Sequence, residues 1–228
     1  MRERATALAV ALALALALAG AACGGGAETN VVNQYFTALR AGDTNTLTSF
    51  AMVQFDKPVE DYKVVSIGAE TKSPAPLPDL VKKAATVEAE QKANEKEYRT
   101  WGNDLAVYPK LDQMKAARAK GGKIPPALQS VADKYDGFQT KDRELKKAVQ
   151  DAKAAVEREK RNVGLSIGQV EDMETLTGDV ISKDVSLELK VAGQTKPYQM
   201  TLRKYELTGG TGGRMVARWV VQTLQPKT

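Results

Sequence analysis

Val180-Ile181-Ser182-Lys183-Asp184-Val185-Ser186-Leu187-Glu188-Leu189-Lys190-Val191 is the stretch that decides the fold class. Val185, Leu187, Leu189 and Val191 fall on one face, and Ser186, Glu188 and Lys190 on the other. A period of two marks a half-buried strand, because successive side chains of a strand point to opposite faces. Ala192-Gly193-Gln194 turns the chain, and Tyr198, Met200 and Leu202 alternate with Gln199, Thr201 and Arg203 in a second strand. Thr208-Gly209-Gly210-Thr211-Gly212-Gly213 turns it again. Met215 to Leu224 then reads as a third strand, with Met215, Ala217, Trp219 and Val221 on one face. Three consecutive strands joined by short turns pair antiparallel.

The residues before position 73 supply helices and one more strand. Thr29-Asn30 can cap a helix whose stripe is Val31, Val32, Tyr35, Phe36 and Leu39. Gly42-Asp43 ends it and opens a shorter helical piece through Leu47, Phe50 and Met52. Tyr62 to Ile67 reads as a strand. Helices followed by an antiparallel run of strands give an α+β class: a curved antiparallel sheet with N-terminal helices on its concave side.

Between these flanks the pattern changes. Ser73-Pro74-Ala75-Pro76-Leu77-Pro78 alternates prolines, which exclude helix, so it reads as a rigid spacer. Residues 79–163 are rich in Ala, Lys and Glu and carry no strand signal. Steps of three and four link Leu80, Ala84, Val87, Gln91, Asn94, Tyr98, Trp101, Leu105 and Tyr108. A second series links Leu128, Val131, Tyr135, Phe138, Asp142, Leu145, Val149, Ala152, Val156, Glu159 and Val163. Each is a heptad-like seam. Gly121-Gly122 stops the first helix, Pro125-Pro126 starts the second, and Pro109 breaks the first near the turn. Folding the chain about residue 121 pairs Tyr108 with Tyr135, Leu105 with Phe138, Tyr98 with Leu145 and Val87 with Val156. The expectation is a long antiparallel coiled-coil hairpin inserted as an arm at 79–163, between the two parts of a discontinuous α+β domain at 30–72 and 164–228.

Charge follows the same division. The arm holds 19 Lys+Arg and 14 Asp+Glu, net +5, so the whole excess of the chain lies on it. It is densest near the turn, at Lys110, Lys115, Arg118, Lys120 and Lys123, with Asp112 the one acid among them. Lys115, Arg118, Lys120 and Lys123 are the candidate contact surface. Clustered cations suit an anionic surface, at about 1 kcal/mol each near charged lipid.

The first residues address the chain to the cell envelope. A short charged head, Met1-Arg2-Glu3-Arg4, precedes an unbroken run of apolar and small residues from Ala5 to Ala22, and then Cys23, the sole cysteine. This is the layout of an export signal. Gly20-Ala21-Ala22-Cys23 resembles the lipobox of bacterial lipoproteins, with Gly20 where that motif usually carries Leu. The resemblance implies cleavage after residue 22 and attachment of acyl chains such as palmitate to Cys23. Residues 23–29 would then be a tether, and the protein would face outward from the cell membrane or outer membrane. An ordinary secretory signal and an uncleaved anchor are the competing readings.

Histidine is absent and one cysteine stands alone, which excludes an internal disulfide, a Cys/His zinc site, a Ser-His-Asp triad and a Cys-His pair. No metal site or cofactor is expected. A general base would have to be a buried carboxylate, and Asp43, Asp56 and Asp61 each sit beside a turn or proline, where acids are solvated. Trp101, Tyr108 and Tyr135 stand at seam positions, and export removes nucleic acid as a partner.

Tyr35-Phe36-Thr37-Ala38-Leu39-Arg40-Ala41-Gly42-Asp43 and Gly213-Arg214 to Trp219-Val220-Val221, with this order of elements, resemble the nuclear transport factor 2-like fold. The likeness covers about 27–72 and 165–226. The expected function is therefore a non-catalytic envelope lipoprotein, a binding or scaffolding module. It would be held by its N-terminal lipid and would meet an envelope protein or anionic polymer through its arm. The alternative is a small apolar ligand in the cone of the α+β domain, lined by Tyr35, Phe36, Tyr198, Met200 and Trp219.

Overall fold

The computed structural model describes residues 26–209 and 217–227; Cys23, Met215 and most of the glycine-rich segment 208–213 lie outside them. The described chain is α+β, with five α-helices and a five-stranded antiparallel sheet. It divides into two compact units. Residues 26–72, 180–205 and 217–227 form the first, and residues 73–179 with 206–209 the second.

In the first unit, helices α1 (Ala27–Ala41) and α2 (Thr44–Phe50) precede strand β1 (Asp61–Ile67). α1 begins three residues earlier than Thr29-Asn30 predicts. Gly26 is the N-cap and no side chain caps the helix, so Thr29 and Asn30 lie within it, and residues 27–29 of the expected tether 23–29 are helical. Gly42, at φ 66°, closes α1 in the left-handed conformation that glycine takes most easily. Asp43 caps α2 by accepting from the Thr46 amide at 3.0 Å.

The sheet order is β1-β3-β4-β5, where β3 is Thr177–Val191, β4 Gln194–Thr208 and β5 Val220–Pro226; β2 (Thr71–Pro74) also pairs with β3. Ala192 and Gly193 both take positive φ, the requirement of a two-residue hairpin turn. Along β3 the alternation holds as read, with Val185, Leu187 and Leu189 buried. The third strand differs. It starts at Val220, Val220 and Val221 are both buried although only Val221 joins the core of this unit, and the register against β4 shifts by one at Gln222. A strand at Thr71–Pro74 replaces the start of the expected spacer: Pro74 ends it, and Pro76 and Pro78 sit at the opening of the next helix, where a missing amide costs nothing.

Val32, Tyr35, Phe36 and Ala38 of α1 pack on Val185, Leu187, Leu189, Tyr198, Met200, Leu202, Trp219 and Val221 in one core. Phe36 stacks on Tyr62 with ring centroids 4.3 Å apart and meets Tyr35 edge-on at 5.3 Å. At its start, α1 is held by Glu28, whose carboxylate is 2.5 Å from Lys183 Nζ. Burial pushes the Glu28 carboxyl up. Hydrogen bonds from Lys183 and the backbone, and the charges of Lys183 and Lys204, outweigh this and hold it below its ordinary 4.5. A depressed carboxylate adds stability above its unfolded value and loses it as pH falls through the folded value. Wild type is therefore expected to lose more melting temperature than Glu28→Gln between about pH 5 and about pH 3. Equal losses in a thermal melt at the two pH values would show that the pair adds nothing.

The second unit contains helices α3 (Leu77–Gly102), α4 (Tyr108–Ala119) and α5 (Gln129–Ile167). α5 runs 39 residues, about 58 Å, and continues past the expected limit of 163. Its buried residues include Val131, Phe138, Val149, Ala152, Val156, Glu159 and Val163, the seam read from the sequence. Glu88 of α3 pairs with Lys153 of α5 at 2.5 Å, and Tyr98 meets Phe138 at 5.6 Å. Asn94 is buried at 3% exposure, and its amide oxygen has no hydrogen-bond partner among the described residues.

The pairing about residue 121 fails from Tyr98 onward, and α3 stops at Gly102. Residues 103–107 turn, and the chain resumes as α4. Leu105 is 93% exposed and Tyr108 54%, so neither occupies the seam. Trp101 takes the place beside Phe138 expected for Leu105, at 5.4 Å, and Tyr98 lies by Phe138 and Tyr135 rather than Leu145. A helix that stops one turn early brings its last aromatics into the space that the missing turn would have filled.

Candidate functional site

The basic cluster stands on a small core of its own. Leu111 and Met114 of α4 pack against Leu128, Val131 and Ala132, with Trp101, Ile124 and Tyr135 at the margin. Three backbone features hold this end. Asp104 closes the 103–107 turn, its carboxylate accepting from the Ala106 amide at 2.8 Å and its carbonyl from Val107 at 2.9 Å. Gly121, at φ 66°, ends the helical run, donating to the Arg118 carbonyl at 2.9 Å. Pro126–Leu128 forms a 3₁₀ turn that leads into α5.

On this frame Lys115, Arg118, Lys120 and Lys123 are all exposed. They are not equivalent. Arg118 makes a two-pronged pair with Asp136, both contacts 2.6 Å. The Arg118 hydrogen bond holds the Asp136 carboxyl below its ordinary value, and the reciprocal bond raises Arg118. Arg118 and Lys115 also lie over the ring of Tyr135, at 5.7 and 5.6 Å. Lys115, Lys120 and Lys123 make no ion pair among the described residues. The sequence reading missed Lys134, whose Nζ is 5.6 Å from the centre of the Trp101 ring, and the acids Asp133 and Asp136 that the first turns of α5 bring to the same end. Their signal was the nine-residue connection 120–128, which brings the end of α4 beside the first turns of α5 and Arg118 onto Asp136.

The five residues expected to line a cone lie in the first unit, and the structure brings them together as packed core. Tyr35, Phe36 and Met200 expose no surface, so no void that admits water borders them. The Tyr35 hydroxyl donates to the Val53 carbonyl at 3.2 Å and accepts from the Phe55 amide at 3.1 Å. Burial, against the Phe55 hydrogen bond, raises its pKa above 10.0. Trp219 lies under Lys204 and Lys183 at 4.9 and 5.6 Å. Tyr198 alone of the five borders the surface depression of about 360 Å³ shared with Phe55 and Leu224.

Asp43, Asp56 and Asp61 are exposed and none joins the core. The Asp43 carboxyl is held low by its bonds from the Thr46 hydroxyl and amide, and Asp61 faces Arg40 at 3.5 Å. Among the described residues no three acidic, histidine or cysteine side chains are grouped to hold a metal ion, and no helix is long and apolar enough to cross a membrane. Compared with protein-family models, with curated proteins and with solved structures, the chain matches none.

Proposed function

We propose that this chain is a non-catalytic lipoprotein of the bacterial cell envelope. Cys23 carries the lipid, and α3, α4 and α5 act as an antiparallel helical hairpin whose basic end binds an anionic envelope surface. The α+β flanks form one discontinuous domain of the nuclear transport factor 2-like kind. One observation carries the binding assignment: Lys115, Lys120 and Lys123 stand exposed, with no ion pair among the described residues, on an end that has its own packed core. Cations so placed keep their full field for an external anion, whereas Arg118 is spent on Asp136. A ligand in the cone, the alternative, would have to displace packed side chains from Tyr35, Phe36 and Met200.

The test reverses Lys115, Lys120 and Lys123 to Glu and leaves Arg118 intact, because its reversal would face Asp136 with a like charge. These surface changes cost within about 0.5 kcal/mol each. Cosedimentation of the chain from Gly24 with phosphatidylglycerol vesicles, and with isolated envelope fragments, is expected to weaken by about a hundredfold in the triple variant. Wild-type binding is expected to fall with salt as the Debye length shrinks below about 8 Å. Equal, salt-independent sedimentation of both proteins would sink the assignment.

A further inference from the structure

The apolar turn between α3 and α4 carries a second kind of contact at this end. We infer that Leu105 is a wedge that enters the interfacial layer of an anionic lipid bilayer, with Tyr108 beside it and lysines gripping the headgroups. The inference rests on the reading of the basic end as a contact surface, and it chooses a lipid bilayer over a protein or a polymer.

Leu105-Ala106-Val107-Tyr108-Pro109 is apolar throughout. Among the described residues four large apolar side chains are exposed, and the most exposed, Leu105, shares this turn with Tyr108. A singly exposed leucine on a mobile loop would mean little. This one is held outward. The Asp104 carboxylate binds the Ala106 amide, and the Asp104 carbonyl accepts from both Val107 and Tyr108, at 2.9 and 2.8 Å. The turn therefore cannot rotate Leu105 back into the seam without losing three hydrogen bonds.

Lysines line the groove that the preceding residue, Asp104, borders. Lys96, Lys134, Trp101 and Asp104 line a shallow groove of about 510 Å³ against the turn, and Lys110 follows Tyr108 by two residues. None of these three lysines makes an ion pair among the described residues. Glu97, Asp104, Asp112 and Asp133 are the acids beside them, and Asp136 is paired with Arg118. An exposed leucine and a half-exposed tyrosine in one turn, with lysines and a tryptophan on the adjoining groove, are residue types that settle at a membrane interface. The area decides against a protein partner. One leucine and half of a tyrosine offer far less than the roughly 800 Å² per side of a standard protein interface, whereas a bilayer needs only modest apolar burial added to charge attraction.

The experiment compares wild type, Leu105→Ser and the Lys115/Lys120/Lys123 triple variant, each from Gly24, on phosphatidylglycerol vesicles across a salt series. Leu105 packs on nothing, so the serine variant folds as wild type does. It is expected to bind roughly tenfold more weakly at every salt concentration with an unchanged salt slope, whereas the triple variant loses the slope. A Leu105→Trp variant is expected to emit further to the blue on vesicles and to be quenched by lipids brominated in the acyl chain. Salt-dependent binding that is equal in wild type and Leu105→Ser overturns the wedge and leaves the charged contact standing. Binding that responds to neither variant overturns both. Attachment of wild type to envelope fragments but not to vesicles overturns the lipid partner alone.

Discussion

Phe36→Ala is expected to cost about 3–5 kcal/mol in chemical denaturation of the chain from Gly24. The ring is fully buried, stacks on Tyr62 and meets Tyr35 edge-on. Its removal leaves a hole bounded by helix and sheet that cannot collapse without breaking the β1–β3 ladder, in which Tyr62 lies opposite Leu189. Against a typical domain stability of about 5–15 kcal/mol, this is a large share of the total. Leu105→Ala serves as control and is expected to change stability by less than about 0.5 kcal/mol. A Phe36→Ala cost below about 1 kcal/mol would mean that the core holds spare volume, and the ligand-cone alternative would then gain ground over the scaffold.

The second large effect is on location. Cys23→Ser is expected to move the protein from the membrane fraction to the soluble fraction of the expressing cells. Each acyl methylene buried in a bilayer contributes about 0.8 kcal/mol, so several chains hold a protein firmly and their loss is close to all-or-none. The readout is fractionation followed by mass determination of the mature N-terminus. A serine form that stays with membranes as fully as wild type would replace the lipid by an uncleaved apolar anchor.

The sheet was legible because β3 alternates over Val185, Leu187 and Leu189, although Val180 and Ile181 at its start are both buried, and the long helix because its seam repeats over some 35 residues without a proline. What the sequence hid depended on single backbone events. Residues 103–107 are too few for periodicity to register, so Leu105 and Tyr108 continued the seam on paper while the backbone turned them to solvent. The α1 start was misplaced because a serviceable cap, Thr29-Asn30, stood three residues inside a helix that Gly26 begins without one. The third strand shows no alternation at its start, where Trp219, Val220 and Val221 are buried in succession, and its register shifts at Gln222. At the candidate site the cations were readable as residue types. Their inequality was not, because Arg118 meets Asp136 only after the connection 120–128 has set which residues of α4 and α5 face each other.

The β2–β3 pairing ends in a backbone hydrogen bond that marks where the helical excursion begins and ends: the Ala75 amide donates to the Gly178 carbonyl at 2.9 Å. About 100 residues leave and rejoin the chain at that point. Closing a loop costs an entropy that grows only with the logarithm of its length, about 0.6 kcal/mol for each doubling. Inserting or deleting seven residues in α3 together with seven facing them in α5 would therefore change the reach of the pair by about 10 Å while costing the closure almost nothing. Reach is then a dimension that mutation can tune in heptad steps, so chains with the same clasp but different spans are open to selection by the distance they must bridge.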